Sequence, residues 1–462
     1  MIINLLHFKL VFGSISFVRK NFLFKSLEMT NEKCVTAILV GAGHRGNVYT
    51  TYSKIEPAKF KMRGIISVAD PKKYARQKIQ DTYNIPNDFV FSDWRQAVAR
   101  KKFADCVILT TQDRMHKEPA IAFSNLGYHI LLEKPMSVSA EDCREIAAAA
   151  KKNGIMMMVC HVLKYMPLSN HIKSLIEDGT IGDIINIQLL EPVGFWHYAH
   201  SFVRGNWHRE EDSSNFLLAK CCHDIDLICY FMGKHRCTTI SSFGKLSHFT
   251  KENKPSNAAS RCLHCPADVE QSCPFSARKI YLAKSERGYK GWPLSVVVDN
   301  PDIENLTDAL LHGPYGKCVY DLDNNVMSHQ VVNMQFDNGA TASFTVVAFT
   351  EKVCTRQLKI FGTKGEIQCS YDGPIIHFDF NSNQTRTYQP KSNDITPCEL
   401  RGHGGADFFT IKSFVEAILE QDPAKILTGV EESLASHLVV FAAEKARLEN
   451  KVVTIHSDGS FS

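Results

Sequence analysis

Three glycines follow the apolar residues 37–40 in the pattern Gly41-x-Gly43-x-x-Gly46. In this pattern the first glycine permits a tight turn, the second lets the backbone approach a pyrophosphate, and the third lets the next helix pack close to the sheet. The helix N-terminus then presents free N–H groups and a positive dipole end to the phosphates. The pattern predicts a dinucleotide-binding turn, although a tight turn without a ligand could carry the same glycines.

An acidic residue that could bind the ribose, Asp70, ends the second apolar run, residues 65–69. Its carboxylate would accept hydrogen bonds from a ribose 2′-hydroxyl, which favours NAD over NADP. Lys72 and Lys73 could instead contact a 2′-phosphate, so NADP stays possible. From this part of the chain we expect cofactor contacts by Gly41, Gly43, His44, Arg45, Gly46 and Asp70.

The tripeptide Glu133-Lys134-Pro135 could carry acid–base chemistry, because it directly follows the apolar segment 129–132. A lysine held at the end of a buried strand could donate or accept a proton, its pKa lowered by partial burial. Glu133 could orient the lysine. The alternative is an ordinary surface ion pair.

A cysteine cluster lies in residues 262–273. Two thiolates in a Cys-x-x-Cys turn can reach one Zn²⁺, and further thiolates can close a structural site. His264 and His312 are alternative fourth ligands, and an iron–sulfur cluster or free thiols are the competing interpretations. The predicted zinc ligands are Cys262, Cys265, Cys273 and Cys318.

Short apolar runs alternate with helical segments between residues 34 and 160. This alternation predicts a doubly wound parallel sheet, a Rossmann domain, in which ligands lie beyond the carboxyl ends of the strands. Strands are expected at 35–40, 60–68, 106–109, 129–132 and 155–160, and helices at 72–83, 93–99, 117–126 and 140–153. The residues expected at the cofactor edge are Thr110, His116, Glu133 and Lys134.

Longer runs rich in β-branched residues follow from residue 161 to the end. Asn338-Gly339 between two of them indicates a hairpin, and successive strands with short turns indicate a large, mainly antiparallel open sheet. We therefore expect an α+β substrate domain at 161–462, with an insertion at about 251–317. The expected strands are 184–190, 238–243, 329–336, 341–349 and 357–361, and the expected helices are 167–179, 405–420 and 431–448.

Composition limits the classes of protein. The 462 residues have a net charge of +4, which requires neither nucleic acid nor an anionic membrane as partner. No apolar run approaches the roughly 18 residues of a membrane span. Fifteen cysteines indicate reduced thiols and a cytoplasmic location. Residues 1–33 are expected to form a flexible extension, with mitochondrial import as the lesser alternative.

The glycine turn and the Glu-Lys-Pro motif together resemble the glucose–fructose oxidoreductase / inositol dehydrogenase family (Gfo/Idh/MocA). Further similarity lies in the segments 161–167, 179–184, 223–226 and 362–367. The resemblance implies that Lys134 contacts substrate and cofactor, that His223 is an acid or base, and that Asp226 shares their pocket. One departure is that Ala219 replaces the usual aspartate of the family's Asp-x-Gly-x-His motif, so Lys220 or Asp224 could supply the missing charge.

The segment 196–208 is rich in aromatic and hydrogen-bonding residues and could bind substrate. His200 and Arg204 could hydrogen bond to hydroxyls or to a carboxylate. His197 and His200 have a spacing that could hold a metal, but no nearby residue completes the ligand set.

The resemblance implies an NAD(P)-dependent oxidoreductase that acts on a sugar, cyclitol or related polyhydroxylated molecule. A second hypothesis is a glycosidase that uses bound NAD for transient oxidation, and a third is a dinucleotide-binding sensor without catalysis. We expect a homodimer or homotetramer, because an open sheet commonly buries one face against another subunit.

Overall fold

The computed structural model describes residues 34–55, 62–390, 400 and 402–462. The predicted N-terminal extension and the first two residues of the predicted second strand lie outside these ranges. Among the described residues, no helix is both long and apolar enough to cross a membrane.

The first sheet is parallel throughout, with strand order β3-β2-β1-β4-β5-β6. Its central strands are almost wholly buried and apolar because helices cover both faces of the sheet. Separate apolar clusters lie on its two sides. The strands are β1 (Val35–Val40), β2 (Met62–Ala69), β3 (Val90–Phe91), β4 (Cys106–Leu109), β5 (His129–Leu132) and β6 (Met157–Val159).

The helices of this part connect successive parallel strands. Side chains cap two of them, since Asp93 and Ser139 each accept a backbone N–H from the first turn. The helices are His44–Ile55, Lys73–Tyr83, Trp94–Val98, Lys117–Asn125 and Ala140–Lys152.

The second sheet has nine strands in the order β14-β13-β12-β11-β7-β10-β9-β8-β15. All neighbouring strands are antiparallel except β7 and β10, which are parallel. The strands are β7 (Ile184–Pro192), β8 (Cys237–Lys245), β9 (His329–Phe336), β10 (Thr341–Val347), β11 (Gln357–Gly362), β12 (Gly365–Ser370), β13 (Ile375–Asp379), β14 (Gln384–Tyr388) and β15 (Val453–Thr454).

One face of this sheet packs on buried helices, which form the largest apolar cluster. The helix Phe216–Met232 is buried along most of its length, and the Asn215 side chain caps its first turn. The other helices outside the β8–β9 connection are Pro167–Glu177, Phe195–Tyr198, Ala406–Glu420 and Val430–Glu449, with a π-helical turn at Ala199–Val203.

The connection between β8 and β9 contains the predicted insertion and is mostly short helices. A β-bridge between Arg261 and Lys317 ties its middle to its end. Its α-helices are Ala267–Ser272, Ala283–Ser285, Leu294–Val297 and Ile303–His312.

The predicted fold class is confirmed: a doubly wound parallel sheet precedes a second, mainly antiparallel sheet. Strand β3, which has only two residues, and strands β12–β15 were not predicted. Strand β14 is mostly exposed and polar, so it has no apolar alternation to reveal it.

Candidate active site

A cleft of about 930 Å³ lies where the carboxyl ends of the parallel strands face the second sheet and its helices. Residues from both parts of the molecule therefore line it. From the first part these include His44, Arg45, Thr110, Thr111, Asp113, Glu133 and Lys134. From the second part they include His197, Phe202, Trp207, Lys220, His223, Trp292, Cys354, Arg356 and His403.

The glycine turn has the shape that a pyrophosphate requires. A Cβ on Gly46 would lie 2.3 Å from the carbonyl oxygen of Gly41, and Gly41 itself has a φ of +92°. A Cβ on Gly43 would meet no atom within 4 Å, so the backbone there is open to a ligand. Because the helix His44–Ile55 begins at this point, its free N–H groups lie beside that opening. The turn therefore fits a dinucleotide.

Asp70 lies at the end of β2, beside the glycine turn. Its Oδ2 accepts the Ala42 N–H at 2.8 Å, and its Oδ1 accepts the Lys72 N–H at 2.7 Å. The carboxylate therefore also holds the turn in shape, a role that the sequence analysis did not identify. Thr110 has a similar role, because its hydroxyl donates to the Gly41 carbonyl at 2.6 Å.

Arg45 pairs with two protein carboxylates. Its Nε lies 2.6 Å from Glu133 Oε1, and its Nη2 lies 2.8 Å from Asp407 Oδ1. Burial alone would raise the pKa of both carboxyls, but the Arg45 guanidinium holds each pKa below its ordinary value. Lys134 adds to this effect on Glu133, and His403 adds to it on Asp407. Arg45 therefore joins the glycine turn to the end of β5 and to the helix Ala406–Glu420.

His116 is fully buried and does not line the cleft. Its ring nitrogens lie 2.8 Å from the Pro135 carbonyl oxygen and 3.1 Å from the Thr111 carbonyl oxygen. The ring therefore joins two strand-end loops, and its position outside the cleft lining gives no support to the predicted contact with the cofactor.

Lys134 and His223 both line the cleft. The Lys134 Nζ donates to the Ala219 carbonyl at 2.7 Å, one turn before His223 on the same helix. Burial lowers the pKa of His223 well below its ordinary value, and the neighbouring Lys134 lowers it further. The imidazole is therefore neutral at physiological pH, and its Nδ1 has no hydrogen-bond partner among the described residues.

Asp226 lies deeper, 1% exposed and outside the cleft lining. Its Oδ1 is 3.0 Å from the Nζ of Lys164, another buried residue. Asp226 follows His223 by one turn on the same helix, and neither Asp226 nor Lys164 lines the cleft. The structure thus brings together two of the three predicted catalytic residues and places the third outside the cleft lining.

Lys220 lines the cleft and belongs to a buried charged cluster that the sequence did not reveal. Its Nζ lies 3.1 Å from Cys354 Sγ and 3.5 Å from Glu191 Oε1. In the same cluster, the Arg356 Nε donates to Asp224 Oδ1 at 2.5 Å. Burial alone would lower the pKa of Lys220, but the thiol and Glu191 raise it, so the amine stays charged.

His200 and Arg204, predicted to bind substrate, do not line the cleft. The His200 Nδ1 lies 3.0 Å from the Tyr281 hydroxyl, and its ring stacks on Tyr315. Arg204 donates to the carbonyls of Lys317 and Phe275 at 2.8 and 2.9 Å. Both side chains therefore bind the β8–β9 connection, and the arrangement gives no support to substrate binding by either.

The structure does not support the predicted zinc site. Among the described residues, no group of three or more His, Cys, Asp or Glu side chains is placed to hold a metal ion. The Cys262 thiol instead accepts an N–H of the Arg204 guanidinium at 3.2 Å, so a protein cation already contacts it. The predicted ligands Cys262, Cys265, Cys273 and Cys318 are all free cysteines.

Two family models match the chain. The oxidoreductase family GFO_IDH_MocA, described as an NAD-binding Rossmann fold, matches residues 35–161. The C-terminal alpha/beta domain of the same family matches residues 173–455.

Among curated proteins, YteT of Bacillus subtilis is 24% identical over 391 residues, or 80% of this chain and 86% of YteT. The 2,7-anhydro-N-acetylneuraminate hydratase of Escherichia coli is 28% identical over 152 residues, which are 33% of this chain but only 40% of the hydratase. Among solved structures, levoglucosan dehydrogenase in complex with NADH and levoglucosan has a TM-score of 0.65 at 17% identity. That match covers 91% of this chain and 99% of the dehydrogenase, and it shows a shared fold.

Proposed function

From the premise that the chain belongs to the Gfo/Idh/MocA family of NAD(P)-dependent oxidoreductases, we propose that its substrate is a sugar, cyclitol or related polyhydroxylated molecule. The observation that carries this proposal is that Lys134 and His223 line one cleft together with His44 and Arg45 of the glycine turn. A hydroxyl placed between these two groups can exchange its proton with a side chain. The sugar derivatives named for the hydratase and for levoglucosan dehydrogenase favour this class of substrate.

The residues that would hold the cofactor are the backbone of Gly43, the N-terminus of the helix that begins at His44, and Asp70. When bound, the nicotinamide supplies or accepts the hydride. Glu133 accepts the backbone N–H of Lys134 at 2.8 Å and so fixes the strand end from which the amine projects.

We assign proton transfer to Lys134 and His223 together. His223 is neutral and can accept a proton, whereas Lys134 can hydrogen bond to the substrate oxygen while it remains anchored to the helix through Ala219. Positioned acid–base groups of this kind contribute about 10²–10⁴-fold to rate. Asp226 and Lys164 are positioning residues, because their ion pair lies outside the cleft lining and Asp226 is one helical turn from His223.

The test is turnover of a panel of hexoses, pentoses, uronic acids and inositols with NAD and with NADP, followed by absorbance of the reduced cofactor. We expect one compound class to reduce cofactor at a rate that depends on Lys134. Tight NADH binding without turnover of any hydroxylated or carbonyl compound would favour the sensor hypothesis.

The glycosidase hypothesis has one specific support, the similarity to a hydratase that acts on an anhydro sugar. It is distinguished by products: such an enzyme would cleave a glycoside while its bound cofactor returns to the starting oxidation state. Accumulation of NADH with an intact glycosidic bond would exclude it.

We also propose a homodimer or homotetramer formed through the face of the nine-stranded sheet opposite the buried helices. Large apolar side chains on the sheet are solvent-exposed, for example Phe243 at 60% and Ile376 at 41%. Such exposure is typical of an interaction surface. Light scattering during gel filtration would show a multiple of the monomer mass, and Phe243→Lys should lower it.

A further inference from the structure

Three of the four tryptophans lie around one end of the cleft. Trp207 and Trp292 line it directly, and Trp196 packs on Trp292 with 5.1 Å between ring centroids. Trp94 is the exception, in a helix on the first sheet, where it packs near Phe123. Trp196 and Trp292 are partly buried and Trp207 is 38% exposed, and tryptophan is enriched at interaction surfaces because its large apolar ring also carries a polar N–H.

The aromatic rings at this end form a continuous wall. The Trp292 and His197 centroids are 4.8 Å apart, His197 and Phe202 are 6.2 Å apart, and Phe202 and Trp207 are 6.1 Å apart. All four rings line the cleft. We call Trp292, His197, Phe202 and Trp207 the aromatic wall.

The wall is built from two distant stretches of chain. His197, Phe202 and Trp207 belong to the turn after β7, whereas Trp292 comes from the β8–β9 connection. Arg204 fastens these stretches together, because it lies in the first and donates to the Phe275 and Lys317 carbonyls of the second. Arg204 is 3% exposed, so the hydrogen bonds that join the two stretches are buried.

We propose that the aromatic wall binds the second ring of a glycoside, so that the substrate is a disaccharide or a similarly extended sugar rather than a free monosaccharide. The apolar face of a pyranose carries C–H bonds that stack on the negative face of an aromatic ring. One pyranose covers about one such ring, whereas two tryptophans of this wall are open to the cleft, Trp207 at 38% exposure and the partly buried Trp292. The ring that reacts lies at Lys134 and His223, and the wall holds the next ring along the same cleft.

This inference rests on the proposed sugar substrate and can fail separately from it. Binding is measured by calorimetry on NADH-saturated protein, because NADH cannot oxidise a hydroxyl and no turnover intervenes. The probes are cellobiose, maltose and lactose, each paired with the methyl glycoside of its two component sugars. At least one disaccharide is expected to bind about tenfold or more tightly than its methyl glycosides.

Trp292→Ala is expected to remove the tighter binding of the disaccharide relative to its methyl glycosides. The affinity for the methyl glycosides and for NADH should stay within about twofold of the parent protein. Trp292→Phe should retain most of the tighter binding, because the phenyl ring still offers a stacking face. Trp207→Ala is the second variant, since Trp207 is 38% exposed and its loss should not affect folding. Trp94→Ala is the matched control and should change none of the affinities.

Three results would overturn the inference. They are the absence of any disaccharide advantage in the parent protein, an equal loss for disaccharides and methyl glycosides in Trp292→Ala, and weakened NADH binding in that variant. The last would mean that the wall holds the nicotinamide ring. Turnover of monosaccharides without a disaccharide advantage would leave the proposed function intact, whereas no carbohydrate binding or turnover would reject both.

Discussion

We call the part of the cleft beside the glycine turn, where the cofactor is proposed to bind, the cofactor end. The part beside the aromatic wall, where the substrate is proposed to bind, is the substrate end, and the two ends are constructed differently. At the cofactor end, the glycine turn and the ends of β4 and β5 present backbone groups and a few side chains, each close in sequence to its own strand. At the substrate end, Lys220, Arg356 and the aromatic wall come from stretches that meet only in the folded chain. The cofactor end is therefore encoded locally, and the substrate end is encoded by tertiary contacts.

The ion pairs at the two ends also differ in how deeply they are buried. The Arg45 side chain at the cofactor end is 26% exposed, and its partners Glu133 and Asp407 have further hydrogen-bond donors. The Arg356 side chain at the substrate end is 5% exposed, and its partners Glu191 and Asp224 are fully buried. Charges in such a buried cluster are costly unless every partner stays in place.

The largest expected effect is on stability, at the substrate end. Arg356→Met should lower the free energy of unfolding by about 3–5 kcal/mol, because it leaves Asp224 and Glu191 buried with less positive charge. Arg45→Met at the cofactor end should lower the free energy of unfolding less, since Glu133 and Asp407 keep other hydrogen-bond donors and the Arg45 side chain is 26% exposed. Urea unfolding of both variants makes the comparison, and an equal or larger loss for Arg45→Met would contradict it.

The next largest expected effect is a loss of turnover when Lys134, which lies between the two ends, is replaced. Lys134→Ala should lower turnover by about 10²-fold or more, the scale of a lost acid–base group, while NADH binding stays within a few-fold. Stopped-flow turnover and NADH titration separate the two quantities. Lys151→Ala, at an exposed surface position, is the control. Unchanged turnover in Lys134→Ala would remove this residue from the mechanism.

A smaller effect tests the cofactor end by itself. Asp70→Ala should weaken NAD binding by about tenfold, the scale of a hydrogen bond to a charged group, and should weaken NADP less. Part of the loss should be common to both cofactors, because Asp70 also holds the Ala42 N–H. Cofactor titration with Lys72→Ala as a companion completes the test: if that variant weakens NADP alone, Lys72 contacts the 2′-phosphate. Equal losses of both cofactors in Asp70→Ala would mean that its carboxylate does not bind the ribose.

A pH-dependent effect on stability is expected at His437, a buried histidine outside the cleft lining. Burial lowers the pKa of His437 to about 3, and its Nε2 accepts the Met136 N–H at 2.9 Å. The unfolded chain binds a proton at this histidine below about pH 6.5, whereas the folded chain does not. Stability should therefore fall as the pH drops from about 6.5 towards 3, by up to about 1.4 kcal/mol per pH unit.

His437→Asn should reduce the slope of the unfolding free energy against pH by up to about 1.4 kcal/mol per pH unit, which corresponds to one proton. The slope is measured by urea unfolding at several pH values. His456→Gln, at an exposed position, should leave the slope unchanged. A slope that is identical in His437→Asn and the parent protein would show that this histidine does not titrate on unfolding.

The sequence by itself determined the parallel sheet and the cofactor end. Predicted strands at 35–40, 106–109 and 129–132 agree with β1, β4 and β5 to the residue, because continuous apolar runs between helices have few alternatives. Gly41, Gly43 and Gly46 could be interpreted residue by residue, since a turn of this kind depends on backbone space that only glycine leaves.

Only the tertiary structure decided the partner of each buried charge and the composition of the substrate end. Arg356 and Asp224 are 132 residues apart in sequence, and nothing in either segment points to the other. The same holds for Arg204, which looked like a substrate ligand but joins two stretches of chain, and for Trp292, which had no predicted role. Such pairings depend on which faces the packed sheets and helices bring together. Local residue patterns do not specify which distant segments will meet.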